Sequence, residues 1–283
     1  MAGSRPGGRS EPGGIFGFLA DHREWLGCIL AHHSEAVDEA ARSSDAWDLV
    51  FCQDGDVLLR SHPGGRGGVE RFVDVLGNVR TRAMLGHLSS GGATTLRSMG
   101  WIYVQDGETE GFEAVRETVR HTIPDFLVRT VRGKGEAEHV FHLILAFLYD
   151  SGKLQNPDLP ASDLARGVRN ALRMMGEIYP RAGLRPPRMT LVVSNCFSAA
   201  GYAGGGDLPV RIFTRPVEGP EVHRGVGLRR DSGEVPMFPR TGKRAVLLGS
   251  FVEGAREGSV TGTIPGRSLF GITRDCHIEI HEV

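Results

Sequence analysis

Gly13-Gly14-Ile15-Phe16-Gly17-Phe18-Leu19-Ala20 is an almost uninterrupted apolar run, bounded by a Pro/Gly-rich stretch before it and by the polar Asp21-His22-Arg23 after it. A short segment that is apolar at every position, rather than at alternate ones, is the pattern of a strand covered on both faces. Its glycines mark close approach of another backbone or of a ligand. Residues 1–12 are mostly Gly, Pro, Ser and Arg with little to bury, and read as a flexible tail. Residues 13–283 read as a single domain.

Working outward, Trp25, Leu26, Ile29 and Leu30 recur at helical spacing, and Ser34 is placed to cap a second short helix. Trp47 to Cys52 and Val57 to Arg60 read as strands around Asp54-Gly55, a dipeptide suited to the left-handed residues of a two-residue hairpin. Ala83 to His87 and Trp101 to Gln105 read as further strands, and Glu113 to Thr122 as an amphipathic helix. The strongest helical pattern spans Glu136 to Asp150. A second opens at Ser162-Asp163 and ends before Pro180. Strands follow at Met189 to Ser194, Val210 to Thr214, Arg244 to Phe251, Ser268 to Ile272 and His277 to His281. Two long helices among many strands apolar on both faces give an α+β class with stacked sheets covered outside by helices.

Composition narrows the function classes. The 283 residues are 40% hydrophobic, enough for a substantial core, and 33 Lys plus Arg against 34 Asp plus Glu leave no global charge to attract nucleic acid or an anionic membrane. No apolar run reaches the roughly 18 residues of a membrane span. The first ten residues lack the apolar core of a secretory signal. Cys28, Cys52, Cys196 and Cys276 are widely spaced without a CxxC pair, which reads as reduced thiols in a cytoplasmic protein. The glycine-rich Ser61 to Gly68 lacks the Lys-Ser/Thr and helix that complete a phosphate-binding loop, and reads as a surface turn. No cofactor is expected.

Several segments, in order, resemble the type II glutamine amidotransferases, in particular their small stand-alone members. The opening strand is similar to the family's Cys-Gly-Ile-Phe-Gly, with Gly13 where the cysteine stands. Ser44-Asp45-Ala46-Trp47-Asp48 sits in the place of Asn-Pro-Asp-Gly-Trp-Gly. Ala83 to Ser89 occupies the place of the strand ending His-Val-Arg, and Trp101 to Gly107 that of the segment ending His-Asn-Gly. Gly133-Lys134-Gly135-Glu136-Ala137-Glu138-His139-Val140-Phe141 resembles Lys-Gly-x-Thr-Asp-Ser-Glu-x-x-Phe, and Ile264-Pro265-Gly266 the Val-Pro-x-Gly turn. The resemblance implies the four-layer αββα sandwich of N-terminal-nucleophile hydrolases.

It also implies where chemistry would sit. In active members the N-terminal cysteine attacks the glutamine amide, with its own α-amine as base. Gly13 has no nucleophile, and twelve residues precede it. Ser89 stands in place of the arginine that clamps the substrate carboxylate, a task requiring a planar cationic fork. Asp106 replaces the asparagine of the oxyanion site and brings negative charge towards a negative transition state. Gly107 is unchanged. Glu136 replaces the aspartate that takes the substrate amine and is one methylene longer. The expectation is a protein without intact catalytic residues, acting as a binding, scaffolding or regulatory domain with an amine-bearing ligand or a protein partner. The alternative is an amidohydrolase or other enzyme of changed chemistry using Glu136, Asp106, His87 or a metal.

Two further patterns offer metal-ligand chemistry. His277, Glu279 and His281 share one face of a strand, which also reads as a solvated outer face with Ile278 and Ile280 inward. Glu136, His139 and His142 fall at i, i+3 and i+6 of the main helix, which also reads as helix-surface polarity. In both the plain reading is preferred, and no metal is expected.

Overall fold

A computed structural model describes residues 14–27, 29, 46–62, 72–89, 94–107, 110–213, 244–249 and 259–283. Gly13, the tail before it, the helix expected after Ser34, and the glycine-rich turn beyond His62 lie outside the described residues. In chain order the elements are β1 (Gly14–Ala20), β2 (Ala46–Gln53), β3 (Asp56–His62), α1 (Phe72–Gly77), β4 (Ala83–Ser89), β5 (Thr94–Ser98), β6 (Trp101–Asp106), α2 (Phe112–His121), α3 (Asp125–Val128), α4 (Glu136–Asp150) and α5 (Ala161–Arg181). They continue with β7 (Thr190–Ser194), β8 (Ala199–Ala203), β9 (Leu208–Phe213), β10 (Ala245–Gly249), β11 (Ser259–Ile264), β12 (Leu269–Ile272) and β13 (Ile278–His281).

β1 is central, paired antiparallel with β4 on one side and β10 on the other. It belongs to a seven-stranded sheet ordered β11-β9-β10-β1-β4-β2-β3, which faces a six-stranded sheet ordered β13-β12-β8-β7-β6-β5. Ile15 and Leu19 of β1 join Ile102, Val104, Val192 and Phe270 in the core between the sheets. Phe16 and Phe18 point the other way, into a cluster with Trp25, Leu26, Ile29, Phe72 and Leu76. Double-sided burial is why the strand is apolar throughout. On the outer face of the six-stranded sheet, α2, α4 and α5 close a third cluster around Tyr103, Phe141, Ile144, Val168 and Leu191. Among the described residues no helix is long and apolar enough to cross a membrane.

Each sheet holds a phenylalanine flat against a cross-strand glycine. Phe16 lies opposite Gly86, and Phe270 opposite Gly201. A Cβ on Gly86 would come within 2.1 Å of the Phe16 Cζ. Gly86→Ala is therefore expected to destabilise by about 2–3 kcal/mol, as overpacking of a rigid core does. Urea denaturation checks this, and an unchanged midpoint would contradict the pairing.

Some details differ from the sequence reading. α5 starts at Ala161 after Pro160, without a side-chain cap from Ser162. It also runs through Pro180: Gly183 adopts φ 74, and the N–H groups of Gly183 and Leu184 close back on Pro180 and Tyr179. A left-handed glycine cap thus ends the helix, the missing proline N–H removing only one bond. The cysteines are not all free thiols, since Cys52 in β2 and Cys196 in the β7–β8 turn form a disulfide, Cα–Cα 5.9 Å, between the two sheets. Residues 144 apart carry no spacing signal for such a pair.

Candidate functional site

One end of the sandwich is where β1 begins and where β4 and β6 end. Gly14 lies opposite Leu88, Ala46 opposite Ser89, and Asp48 opposite His87. Strand alternation assigns His87 and Asp48 to the inter-sheet face, because their neighbours Leu88 and Leu49 belong to the outer cluster and Leu85 and Val50 to the inter-sheet core. From the facing sheet, Asp106 continues the inter-sheet row of Ile102 and Val104. Its Oδ1 lies 3.5 Å from His87 Nε2. Thr95, opposite Val104 on β5, shares that face.

His87 is only 4% exposed, while the Asp106 side chain keeps 31% of its surface. Two buried atoms here, His87 Nδ1 and Thr95 Oγ1, have no hydrogen-bond partner on the described residues. Each costs about 1–3 kcal/mol of desolvation. An imidazole beside one carboxylate, with a second acidic residue directly opposite it, can hold or move a proton.

Glu136 has its own hydrogen-bond partner. At the start of α4 its Oε1 accepts from the Tyr179 hydroxyl at 3.0 Å. Tyr103 is pushed well above the usual phenol range by its burial and then by the Glu136 charge. The Tyr103 hydroxyl donates to Gln105 Oε1 at 2.5 Å, and Gln105 Nε2 donates to the Gly107 carbonyl at 3.3 Å. Tyr103 and Gln105 are on the helix side of β6 and Asp106 on the other. Glu136 thus bonds to Tyr179 of α5, and Asp106 faces His87 of β4. Gly107, at φ 94, could not carry a Cβ without meeting the Arg188 carbonyl. Ser89 is the last residue of β4, and Gly13 lies outside the described residues.

The described cysteines are remote from this end. Cys52 lies opposite Val57 beside the Asp54-Gly55 turn and is disulfide-bonded. The single S–H of Cys276 is shared between the carbonyls of Leu19 and Arg244, at the other end of β1, and burial pushes the thiol up to about 12. It is a thiol, not a nucleophilic thiolate, at neutral pH.

The remaining sequence candidates resolve into structure. His139 and His142 are buried rather than on the helix surface, each held through Nδ1 to a backbone carbonyl, Gly135 at 2.8 Å and Glu138 at 2.7 Å. A helix buried on most sides gives no polar face for periodicity to report. On β13, Ile278 packs against the inter-sheet core, but Ile280 is exposed because the strand is a sheet edge. Among the described residues no group of three His, Cys, Asp or Glu is arranged to hold a metal. Sequence reading passed over Asp48 as a site residue and Thr95 altogether. The available signal was period-two alternation on β2 and β5, which is informative only once the sheets are stacked.

With this geometry, the fold is that of glutamine amidotransferase class II domains. A glutamine aminotransferase class II domain protein from Silicibacter pomeroyi matches at TM-score 0.55 and 13% identity, over 95% of this chain and 98% of that one. Glutamine phosphoribosylpyrophosphate amidotransferase from B. subtilis, complexed with ADP and GMP, matches at TM-score 0.55 and 12% identity, over 95% of this chain and 49% of that one. No protein-family profile matches the chain. No curated protein matches it either.

Proposed function

We propose that this chain is a degenerate relative of the class II glutamine amidotransferases, a single domain over residues 13–283 with the four-layer αββα sandwich of N-terminal-nucleophile hydrolases. In this reading it binds a ligand and does not hydrolyse glutamine. The observation that carries it is the lack of a usable nucleophile where the first strand begins. The chain there reads Gly13-Gly14, while the described cysteines are a disulfide and a buried thiol at the far end of the strands. Asp106, at the position of an oxyanion donor, is an acceptor facing His87. A carboxylate there opposes the charge that develops during amide attack.

The same groups set the sign of the ligand. Asp48 has no hydrogen-bond or ion-pair partner among the described residues, and with Asp106 it flanks His87 at this end. Without an arginine fork at Ser89, a primary amine is favoured and a free carboxylate disfavoured. Calorimetric titration with a simple diamine, glutamate and glutamine tests this. The diamine is expected to bind, glutamate is not, and Asp106→Asn is expected to weaken diamine binding at least tenfold. Glutamate binding more tightly than the diamine would overturn the assignment.

A second reading is favoured by the His87–Asp106 pair itself. A buried imidazole with one nitrogen near a carboxylate and the other unpaired is suited to general acid/base work. In that reading the site runs a proton-transfer chemistry that needs no cysteine.

A further inference from the structure

Among the described residues β3 is an edge strand, hydrogen-bonded only to β2. Its sequence is Asp56-Val57-Leu58-Leu59-Arg60-Ser61-His62, and Leu58 and Leu59 are 36% and 40% exposed. Asp56 and Arg60 are also exposed, and neither has an ion-pair or side-chain hydrogen-bond partner among the described residues. A long edge strand with exposed apolar side chains is a template for another strand. Charges on an edge normally prevent that. Here they are opposite in sign and symmetrically placed, two residues either side of Leu58.

The hairpin fixes which backbone groups are free. Asp54 and Gly55, at φ 52 and 90, form a two-residue turn, so the flanking pair Gln53 and Asp56 is a hydrogen-bonded pair. By alternation Leu58 and Arg60 also bond inward to β2, and the N–H and C=O groups of Val57, Leu59 and Ser61 point to the open edge. The Arg97 guanidinium from β5 donates to the Val57 carbonyl, which retains a second lone pair.

We infer that β3 is a homodimerisation edge: two copies pair antiparallel about a two-fold axis at Leu58, forming one sheet that continues through both chains. In this register Val57 exchanges backbone bonds with the second copy's Leu59. Asp56 then falls opposite the second copy's Arg60, and Arg60 opposite its Asp56. Both charge pairs occupy non-hydrogen-bonded positions, where facing side chains are closest. Such an interface is isologous and self-closing. The other edge of this sheet, β11, reads Ser-Val-Thr-Gly-Thr-Ile and has no charge with which to specify a register. An interface built around one short strand belongs at the small end of the size range, so the dimer forms in the micromolar range.

Sedimentation equilibrium of the full chain tests this. The wild type is expected to be dimeric at about 50 µM. Leu59→Pro is expected to be monomeric yet folded, since the Leu59 N–H does not bond to β2 and proline is tolerated at such an edge position. Arg60→Asp and Asp56→Arg are each expected to weaken the dimer more than tenfold by placing like charges opposite one another. Mixing these two variants, or combining both substitutions in one chain, restores opposite pairs and is expected to restore association. A monomeric wild type at about 200 µM would overturn the inference. So would a dimer that survives either charge reversal at wild-type strength. If Leu59→Pro fails to fold, the charge variants alone decide.

Discussion

Reducing the Cys52–Cys196 disulfide is expected to lower stability by about 2–5 kcal/mol, with the upper figure set by the length of the loop it closes. A separation of 144 residues gives about 5 kcal/mol in the chain-entropy model, a large part of the roughly 5–15 kcal/mol that holds a domain folded. The bond joins β2 of one sheet to the β7–β8 turn of the other. That turn is itself well organised, with Asn195 Oδ1 accepting from the N–H groups of Phe197 and Ser198, and Ser194 Oγ from that of Cys196. Cys196, at φ 75, is therefore held in place by the turn and not only by the bond. The reduced protein should keep its fold and melt roughly 4–9 °C lower. Cys196→Ser should match the reduced wild type and be insensitive to reductant. Equal melting temperatures with and without reductant, together with alkylation of Cys52 and Cys196 in unreduced denatured protein, would show that the bond does not form.

The second large effect concerns the missing nucleophile. Trimming the chain to residue 13 with Gly13→Cys places a cysteine and its α-amine at the start of β1, yet no appreciable glutaminase is expected. Loss of the nucleophile from a catalytic unit costs on the order of 10⁶ in rate, but its return is not sufficient. Asp106 would still face the developing oxyanion, at a further cost of about 10² to 10³, and Ser89 would leave the substrate carboxylate without its clamp. Adding Ser89→Arg and Asp106→Asn should recover glutamine binding before turnover. Asp106→Asn also removes the carboxylate beside His87, so it tests the amine site and the oxyanion argument together. Strong glutaminase from the trimmed single variant would contradict the placement of Ser89 and Asp106.

How much of this was legible in the sequence depended on whether a residue's role was local. β1 could be read because both its faces are buried, and the β2–β3 hairpin because Asp54-Gly55 suits that turn. α4 was read to its observed ends, Glu136 and Asp150. β8, Ala-Ala-Gly-Tyr-Ala, was not read: its small residues have little strand preference, and Gly201 is there because the Phe270 ring occupies its side-chain space. Roles that depend on stacking two sheets were the least legible. His87 and Asp106 were named singly, but their pairing and the placement of Asp48 and Thr95 beside them arise only from register. The disulfide, too, is a product of sheet stacking.

The measurement that bears most directly on the central claim is ammonia release from glutamine by the purified, full-length protein, followed at saturating substrate with and without reductant. The expected rate is indistinguishable from solvent background in both conditions and unchanged by alanine replacement of all four cysteines. Turnover above background that disappears with those cysteines would mean that a thiol elsewhere in the chain reaches the site. Turnover that survives their replacement, but is lost in His87→Gln or Asp106→Asn, would contradict the non-catalytic reading and assign the chemistry to that pair.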